Sequence, residues 1–190
     1  MTSSAVFDVA VLGGGPAGSV CAAQLARRGA KVVLLEKTRF PRFRLGESLL
    51  PASLPTLAEI GVLEKLDAHA AFLRKYGARF HDDVTARSER FAFDRGWKSE
   101  LDHAFHVPRE AFDEVLLRHA EASGAEVREG VAARRVIGAD AREIVTIEAA
   151  DASGERAEVR ARFVVDATGR DALFARDADA RSPKRIEGLD

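Results

Sequence analysis

The sequence predicts an α/β protein built on a parallel sheet, and its first forty residues give the main reasons. Residues 6–12 form a short, almost wholly apolar run, which is typical of a strand buried on both faces. A glycine-rich turn at 13–18 leads into an alanine- and leucine-rich helix over 16–28 that ends before Gly29. Residues 31–36 are a second apolar run, so strand, turn, helix and strand make one βαβ unit.

The segment after this unit has a weaker pattern. Three prolines in 38–55 indicate an ordered loop, and short helices are expected over 57–60 and 62–73, broken at Gly61. Alternation in 90–94 predicts an edge or antiparallel strand. The aromatic residues of this region are more typical of a core than of a substrate pocket; they are Phe80, Phe91, Phe93, Trp97 and Phe105.

A long helix and a group of strands complete the predicted sheet. Pro108 opens the helix and Gly124 closes it, the usual asymmetry of helix ends. A strand over 125–128 should then return to the parallel sheet. Three later strand-like runs, the last two joined by a DASG turn, predict an antiparallel three-strand meander; they are 133–137, 143–149 and 156–165.

Composition limits the classes of function. The chain has 190 residues, of which 46% are hydrophobic and 31% charged, as in ordinary folded domains. A net charge of -1 gives no general attraction to nucleic acid or to an anionic membrane, so neither partner is expected. Cys21 is the single cysteine, which excludes an internal disulfide framework and a cysteine-based zinc site. A reducing, cytoplasmic setting is therefore expected.

The sharpest motif is the pattern Gly13-x-Gly15-x-x-Gly18 between the first strand and the first helix. Gly13 permits the tight turn, Gly15 lets a pyrophosphate approach the backbone, and Gly18 lets helix and strand pack closely. The amides of the first helical turn, around Pro16 and Ala17, then face the phosphates together with the positive end of the helix dipole. The alternative is a plain strand–helix turn without a ligand.

Glu36 ends the second strand, 18 residues after Gly18, where a carboxylate can accept hydrogen bonds from both hydroxyls of an adenosine ribose. It would repel a 2′-phosphate, which disfavours NADP. The glycine turn does not distinguish FAD from NAD. The long proline-bearing loop and the meander do, because their order resembles the Rossmann-like FAD-binding domain of glutathione-reductase-type and hydroxybenzoate-hydroxylase-type flavoproteins.

Within that superfamily the chain is similar, from about residue 5 to its end, to the flavin-dependent, tryptophan-halogenase-like halogenases. Six segments carry the resemblance, and GESLLP and RKYGA are more specific than the glycine turn. The segments are GGGPAGS at 13–19, LEK at 35–37, FPRFRLGESLLP at 40–51, RKYGARF at 74–80, HVPREAFDEVLLRHAEASGAEV at 106–127 and FVVDATGRDALFA at 163–175.

The resemblance implies a reaction and its partners. Reduced FAD, supplied by a separate flavin reductase, reacts with oxygen and halide to give hypohalous acid. This acid travels through a tunnel to a lysine and then halogenates a small, electron-rich aromatic substrate, free or bound to a carrier protein. The matching lysine is Lys75. Its ammonium can hydrogen-bond the acid, or its neutral amine can form a haloamine; a solvated charge beside Arg74 is the plainer alternative.

The resemblance also implies the residues that bind FAD. Glu47 and Ser48 match the loop beside the flavin, and Arg109 matches an arginine that reaches the phosphate and ribose region. The residues alone allow loop capping for the first two and a surface ion pair with Asp113 for Arg109. The expected cofactor-binding set is Gly13, Gly15, Pro16, Ala17, Gly18, Glu36, Lys37, Arg44, Glu47, Ser48, Arg109, Val131 and Asp166.

The pair His103-x-x-His106 could hold a metal, but no third ligand has suitable spacing, so no metal site is expected. Ordinary surface or loop histidines are the favoured interpretation.

The resemblance further implies an incomplete fold, because family members are much longer. The FAD-binding domain would comprise 1–77 and 108–175, with partial substrate-domain strands at 78–107. Residues 176–190 would begin the missing carboxyl-terminal half. That half would contain the last parallel strand, a WxWxIP segment and most of the substrate domain. We expect weak FAD retention and no turnover by the 190-residue chain alone.

Two alternatives remain open from the sequence. The first is a related flavoenzyme of the monooxygenase type, such as an aromatic hydroxylase, or an isoprenoid reductase. A WxWxIP segment would favour the halogenase, and direct reduction by NADPH would favour the hydroxylase. The second is a non-catalytic, nucleotide-binding interaction module.

Overall fold

The computed structural model describes residues 5–96, 101–138 and 144–173. The described residues form ten strands and four α-helices. The strands are β1 (Val6–Leu12), β2 (Val32–Glu36), β3 (Leu73–Lys75), β4 (Gly77–Asp82), β5 (Arg87–Ala92), β6 (Ala104–His106), β7 (Glu126–Glu129), β8 (Val131–Ile137), β9 (Val145–Asp151) and β10 (Arg156–Asp166). The helices are α1 (Pro16–Arg27), α2 (Leu54–Glu59), α3 (Leu63–Asp67) and α4 (Arg109–Ala122).

The chain divides into two compact units. The first consists of Met1–Phe40 with Leu116–Asp190, and the second of Pro41–Val115. The division falls inside α4, whose residues therefore belong to both units. The boundaries implied by the family resemblance refer to the cofactor and substrate parts of a longer protein and stay a prediction.

A six-stranded sheet organises the first unit, in the order β7-β2-β1-β10-β9-β8. Strands β7, β2, β1 and β10 are parallel neighbours, whereas β8, β9 and β10 form an antiparallel meander. Strand β10 belongs to both the parallel part and the meander, because residues 156–161 pair with β9 and residues 160–166 pair with β1. The predicted α/β class, parallel sheet and three-strand meander are confirmed.

The core of the first unit lies on this sheet. Residues of β1 and β2 are almost all buried, as expected for central strands of a parallel sheet. Each fully buried Leu or Val side chain contributes about 1.5–3 kcal/mol through its removal from water. One buried cluster joins the parallel strands to the meander; it consists of Phe7, Ala10, Leu12, Val33, Leu35, Ile147, Ala149, Val159 and Ala161.

The second unit contains short helices and two small antiparallel sheets, β3 with β6 and β4 with β5. The predicted helix break at Gly61 is present, at a φ of +77°. The predicted helix over 62–73 is wrong at its end, since α3 stops at Asp67 and Leu73 opens β3. The reason is tertiary pairing, because Leu73 lies opposite His106 of β6 in the register of that sheet.

The aromatic residues of the second unit divide between core and surface. Phe105 is buried, in agreement with the core interpretation, and Phe93 is half-buried. Phe80 and Phe91 are 64% and 56% exposed and pack edge to face on β4 and β5 with ring centroids 5.5 Å apart, so that interpretation is wrong for both. Trp97 lies outside the described residues. No described helix is long and apolar enough to cross a membrane.

Candidate functional site

The glycine turn is built by contacts that exclude side chains. Gly13 has a φ of +107°, and a Cβ added there would lie 2.4 Å from the carbonyl oxygen of Ala167. A Cβ on Gly18 would lie 1.9 Å from the carbonyl oxygen of Gly13. Both distances are far below van der Waals contact, so glycine is required at each position. The tight turn predicted at Gly13 and the close packing predicted at Gly18 are confirmed.

Helix α1 starts at this turn with its first amides uncapped by a side chain. Gly15 is the N-cap residue and Pro16 occupies the first turn, and no described side chain hydrogen-bonds the cap. Proline has no amide hydrogen to satisfy, whereas the amides of Ala17 and Gly18 point out of the helix end. Such amides, with the positive end of the helix dipole, form a site that fits a phosphate group.

Glu36 lies directly beside the turn and is only 5% exposed. Its Oε2 accepts a hydrogen bond from the backbone amide of Gly14 at 2.7 Å, and its Oε1 accepts one from the amide of Thr38 at 2.9 Å. The Thr38 hydroxyl also donates to Oε1. These three hydrogen bonds orient the Glu36 carboxylate at the end of β2, beside the turn. The contact with Gly14 was not anticipated, although neighbouring parallel strands bring their carboxyl ends together.

The end of β10 closes the turn from the other side. Asp166 lies opposite Leu12 in register, and the amide of Ala167 donates to the carbonyl of Leu12 at 2.9 Å. The Asp166 carboxylate accepts the amide of Thr168 at 3.0 Å and so caps the turn that follows β10. Lys37 and Asp171 form an ion pair between the segments that follow β2 and β10.

Val131 opens β8, which follows β7 directly after Gly130. Its side chain is half-buried and packs against the core cluster of the first unit. This packing within the protein accounts for the apolar side chain at this position. A cofactor role for Val131 therefore stays a prediction, as it does for Lys37 and Asp166.

In the second unit, backbone pairing brings the loop with Ser48 next to the strand with Lys75. The amide of Leu49 donates to the carbonyl of Phe105, and the amide of Val107 to the carbonyl of Glu47, each at 2.9 Å. Strand β6 pairs on its other side with β3, where Lys75 lies opposite Ala104. The ammonium of Lys75 donates a hydrogen bond to the hydroxyl of Ser48. The sequence predicted a functional role for each residue but not their contact, since the two residues lie far apart along the chain.

Arg109 belongs to a buried charge cluster in the second unit. Its Nε and Nη2 donate to the two carboxylate oxygens of Asp113, at 2.8 and 3.1 Å, and Nη1 of Arg42 lies 3.2 Å from Oδ2 of the same carboxylate. The Asp113 side chain is fully buried. The ion pair predicted from the i,i+4 spacing is therefore present, but it is buried and not on the helix surface. The participation of Arg42 was not anticipated.

The third donor of Arg109 holds the loop that precedes Glu47. Its Nη1 donates to the carbonyl of Leu45 at 2.9 Å. Gly46 has a φ of +107°, and a Cβ there would lie 2.9 Å from this Nη1. The loop therefore depends on a glycine beside the guanidinium. The described contacts of Arg109 all lie within the protein, and its predicted contact with the cofactor stays a prediction.

Glu47 and Arg44 lie on the same loop, where Glu47 is half-buried. Hydrogen bonds from the backbone amides of Glu47 and Gly46 lower the pKa of the Glu47 carboxyl, and the nearby charges of His106 and Arg109 act in the same direction. Glu47 is therefore a carboxylate at neutral pH. The side chain of Arg44 is exposed. A cofactor role for either residue stays a prediction.

His103 and His106, the candidate metal pair, have other neighbours in the structure. Nδ1 of His103 lies 2.7 Å from a carboxylate oxygen of Asp102, and the His103 ring packs against Phe105 with centroids 5.7 Å apart. Within the described residues, no group of three or more His, Cys, Asp or Glu side chains could hold a metal ion.

Similarity to known proteins identifies the cofactor of this domain. The family described as FAD binding domain matches residues 6–186, almost the whole chain. The chain belongs to this FAD-binding domain family. Its cofactor is FAD, and the glycine turn, the uncapped amides of α1 and the adjacent Glu36 fit the adenosine diphosphate part of that molecule.

Individual relatives of this FAD-binding domain are halogenases. The chain is 40% identical over 168 residues to tryptophan 2-halogenase of Chondromyces crocatus, covering 88% of this chain and 31% of the relative. It is 37% identical over 186 residues to the 1H-pyrrole-2-carbonyl-[peptidyl-carrier protein] chlorinase of Pseudomonas fluorescens, covering 90% of this chain and 41% of the relative.

A solved structure shows the same fold. The myxobacterial chondrochloren halogenase superposes with a TM-score of 0.77 at 36% identity, over 86% of this chain and 37% of that one. The FAD-binding domain thus spans well under half the length of each of these proteins.

Proposed function

We propose that this domain is the FAD-binding portion of a flavin-dependent halogenase, an oxidoreductase that halogenates electron-rich aromatic rings. The observation that carries the proposal is the contact between Lys75 and Ser48. The contact supports the proposal because Lys75 matches the halogenase lysine and Ser48 matches a residue of the family's loop beside the flavin. The similarity to halogenases along most of the chain supports the same proposal.

Residues of the first unit would hold the cofactor. The amides of Ala17 and Gly18 would donate to the diphosphate, and the Glu36 carboxylate would accept hydrogen bonds from the ribose hydroxyls. We propose further contacts from the remaining expected residues of this unit, which are Lys37, Val131 and Asp166. The cofactor roles expected of Arg44, Glu47, Ser48 and Arg109 stay predictions. Reduced FAD, when bound, would supply the two electrons that reduce oxygen to the peroxide level, at which oxygen can oxidise a halide ion to hypohalous acid.

Lys75 would act on the hypohalous acid that results. An ammonium N–H donated to the oxygen of this acid makes its halogen more electrophilic. The halogen then bonds to a ring carbon of the substrate, the ring loses a proton, and the oxygen leaves as water. During these steps Lys75 would orient the acid and stabilise the negative charge that develops on its oxygen.

The partners of this reaction follow from its chemistry. We propose a small, electron-rich aromatic substrate; a carrier-bound substrate is supported by the chlorinase relative, whose name specifies a pyrrole on a peptidyl carrier protein. We also propose a separate flavin reductase and a cytoplasmic location.

The proposal is tested with Lys75→Ala in the complete protein that contains residues 1–190. A panel of phenol, pyrrole and indole substrates is supplied with reduced flavin, oxygen and chloride or bromide, and halogenated product is measured by mass spectrometry. Because the lysine orients the oxidant, we expect a loss of roughly 10²–10⁴-fold in product formation. FAD affinity should be unchanged, since the Lys75 contacts described here do not involve the glycine turn. Lys65→Ala, an exposed lysine of α3, is the matched control.

Other outcomes would contradict the proposal. Hydroxylated product with direct reduction by NADPH would identify an aromatic hydroxylase, and saturation of an isoprenoid double bond would identify a reductase. Bound FAD that never reacts with oxygen, in the presence of the reductase and substrates, would identify a nucleotide-binding module.

A further inference from the structure

The ammonium of Lys75 is held from two directions within the second unit. It donates a hydrogen bond to the Ser48 hydroxyl, and its Nζ lies 5.4 Å from the centroid of the Phe93 ring. A lysine side chain has four rotatable bonds, so two contacts on its terminal nitrogen restrict a group that would otherwise sample many positions. The Lys75 side chain is half-buried, in contrast to its exposed neighbours Arg74 and Tyr76.

Both partners of the ammonium are fixed by backbone hydrogen bonds. The segment around Ser48 is tied to β6 by bonds on each side, from Leu49 to Phe105 and from Val107 to Glu47. The amide of Phe93 donates to the carbonyl of Tyr76 at 3.0 Å, and Tyr76 directly follows Lys75 in the chain. The backbone segments that carry the hydroxyl and the ring are therefore held close to the strand of Lys75.

The chemistry of the two partners favours one mode of action. A hydroxyl oxygen accepts a hydrogen bond more strongly from an ammonium than from a neutral amine. The face of an aromatic ring attracts the cation through its quadrupole, and a neutral amine lacks this attraction. An ammonium has three N–H donors, and the bond to Ser48 uses one of them. Two donors of an ammonium therefore remain for an oxidant.

We propose that Ser48 and Phe93 are positioning residues that present Lys75 to hypohalous acid as a hydrogen-bond donor and keep it from reacting as an amine nucleophile. This inference rests on the proposed function for the identity of the oxidant. It gives Ser48 a role toward the lysine in addition to its expected place beside the flavin, and it gives Phe93 a role that sequence analysis did not assign.

Acylation of the lysine by acetic anhydride tests the positioning without any need for halogenation. The complete protein that contains residues 1–190 is labelled at fixed pH, and the acylation rate of the Lys75 peptide is measured by mass spectrometry relative to that of Lys65. Loss of one hydrogen bond by Ser48→Ala should raise the relative rate roughly threefold to tenfold. Ser48→Thr retains the hydroxyl and should stay within about twofold of the native rate.

Two further variants complete the labelling test. Phe93→Leu keeps an apolar side chain but removes the ring face, and it should also raise the relative rate, by roughly twofold to fivefold. Ser53→Ala removes a hydroxyl that bonds the carbonyl of Leu50 and should leave the rate unchanged. An unchanged rate in Ser48→Ala, or an equal rise in Ser53→Ala, would overturn the inference.

Halogenation by the complete protein gives the second measurement. Ser48→Ala should lower the turnover number at saturating substrate by roughly tenfold with little change in KM, and Ser48→Thr should restore it. Full turnover in Ser48→Ala would overturn the inference. If Lys75→Ala retained full halogenation, the proposed function would fail, while the labelling result would still stand as a test of the contacts.

Discussion

The two candidate regions of this protein are built in different ways. The glycine turn lies at the carboxyl ends of parallel strands, and its shape is set by backbone packing that leaves no room for a Cβ at Gly13 or Gly18. Lys75 lies on a three-residue strand, and its setting depends on side-chain contacts with Ser48 and Phe93. A single substitution in the glycine turn should therefore disrupt the packing of the whole turn. In the lysine region, by contrast, each side-chain contact can be removed separately.

The largest effect is expected from Gly18→Val. An added Cβ would lie 1.9 Å from the Gly13 carbonyl oxygen, and neither backbone can move away without opening the contact of α1 with the turn. We expect a loss of roughly 4 kcal/mol in the free energy of unfolding, measured by urea denaturation, together with loss of FAD binding. Gly138→Ala is the control, because a Cβ there meets no atom within 4 Å. If Gly18→Val had the stability of the wild type, backbone packing would not determine the shape of the glycine turn.

A smaller but substantial effect is expected from Asp113→Asn in the second unit. The substitution keeps the shape of the side chain but leaves the buried guanidinium of Arg109 and that of Arg42 without their shared negative charge. Breaking a buried charge cluster of this kind costs about 3 kcal/mol in the free energy of unfolding. Urea denaturation measures this loss, and Glu114→Gln, at the next position of α4, is the control. If both variants had equal stability, the cluster would not hold the loop.

Protease sensitivity of the loop gives a second measurement for Asp113→Asn. Arg109 bonds the Leu45 carbonyl, so release of Arg109 should free the loop that carries Arg44 and Glu47. Limited trypsin digestion should then cut after Arg44 faster in Asp113→Asn than in the wild type, with mass spectrometry locating the cut. Cleavage at an unchanged rate would show that the loop is held by its backbone pairing with β6 and not by Arg109.

The smallest effect is expected from Glu47→Gln as pH falls. The pKa of the Glu47 carboxyl is lower in the folded protein than its ordinary value of 4.5, chiefly through hydrogen bonds from backbone amides. A lowered folded-state pKa contributes stability above the unfolded pKa and loses it as pH falls through the folded pKa. The wild type should therefore be slightly more stable than Glu47→Gln at pH 7, and the difference should vanish well below pH 4.5.

Thermal denaturation at several pH values measures this difference. Glu89→Gln, an exposed carboxylate of β5, is the control for a general effect of charge. A Glu47→Gln difference that persisted unchanged into strong acid would contradict the described hydrogen bonds of the carboxylate.

The sequence predicted the first unit better than the second, for physical reasons. Apolar runs, a glycine turn and a helix end are local signals, so β1, α1, β2 and the place of Glu36 follow from neighbouring residues. The contact of Lys75 with Ser48 and that of Arg42 with Asp113 join residues far apart in the chain, and composition does not encode such contacts. The alternation that predicted a strand over 90–94 did not show that Phe91 would be exposed, because periodicity gives the two faces of a strand but not which face is covered.

We propose above all that the glycine turn and Glu36 bind FAD, and the affinity of the apoprotein for FAD tests this most directly. Apoprotein is prepared from the complete protein as wild type, Glu36→Lys and Glu158→Lys, the last being an exposed acid of β10. FAD affinity is measured from the quenching of flavin fluorescence. Because Glu36→Lys removes the proposed acceptor of the ribose hydroxyls, we predict a Kd at least roughly tenfold higher, with Glu158→Lys unchanged. An unaltered Kd in Glu36→Lys would contradict the account.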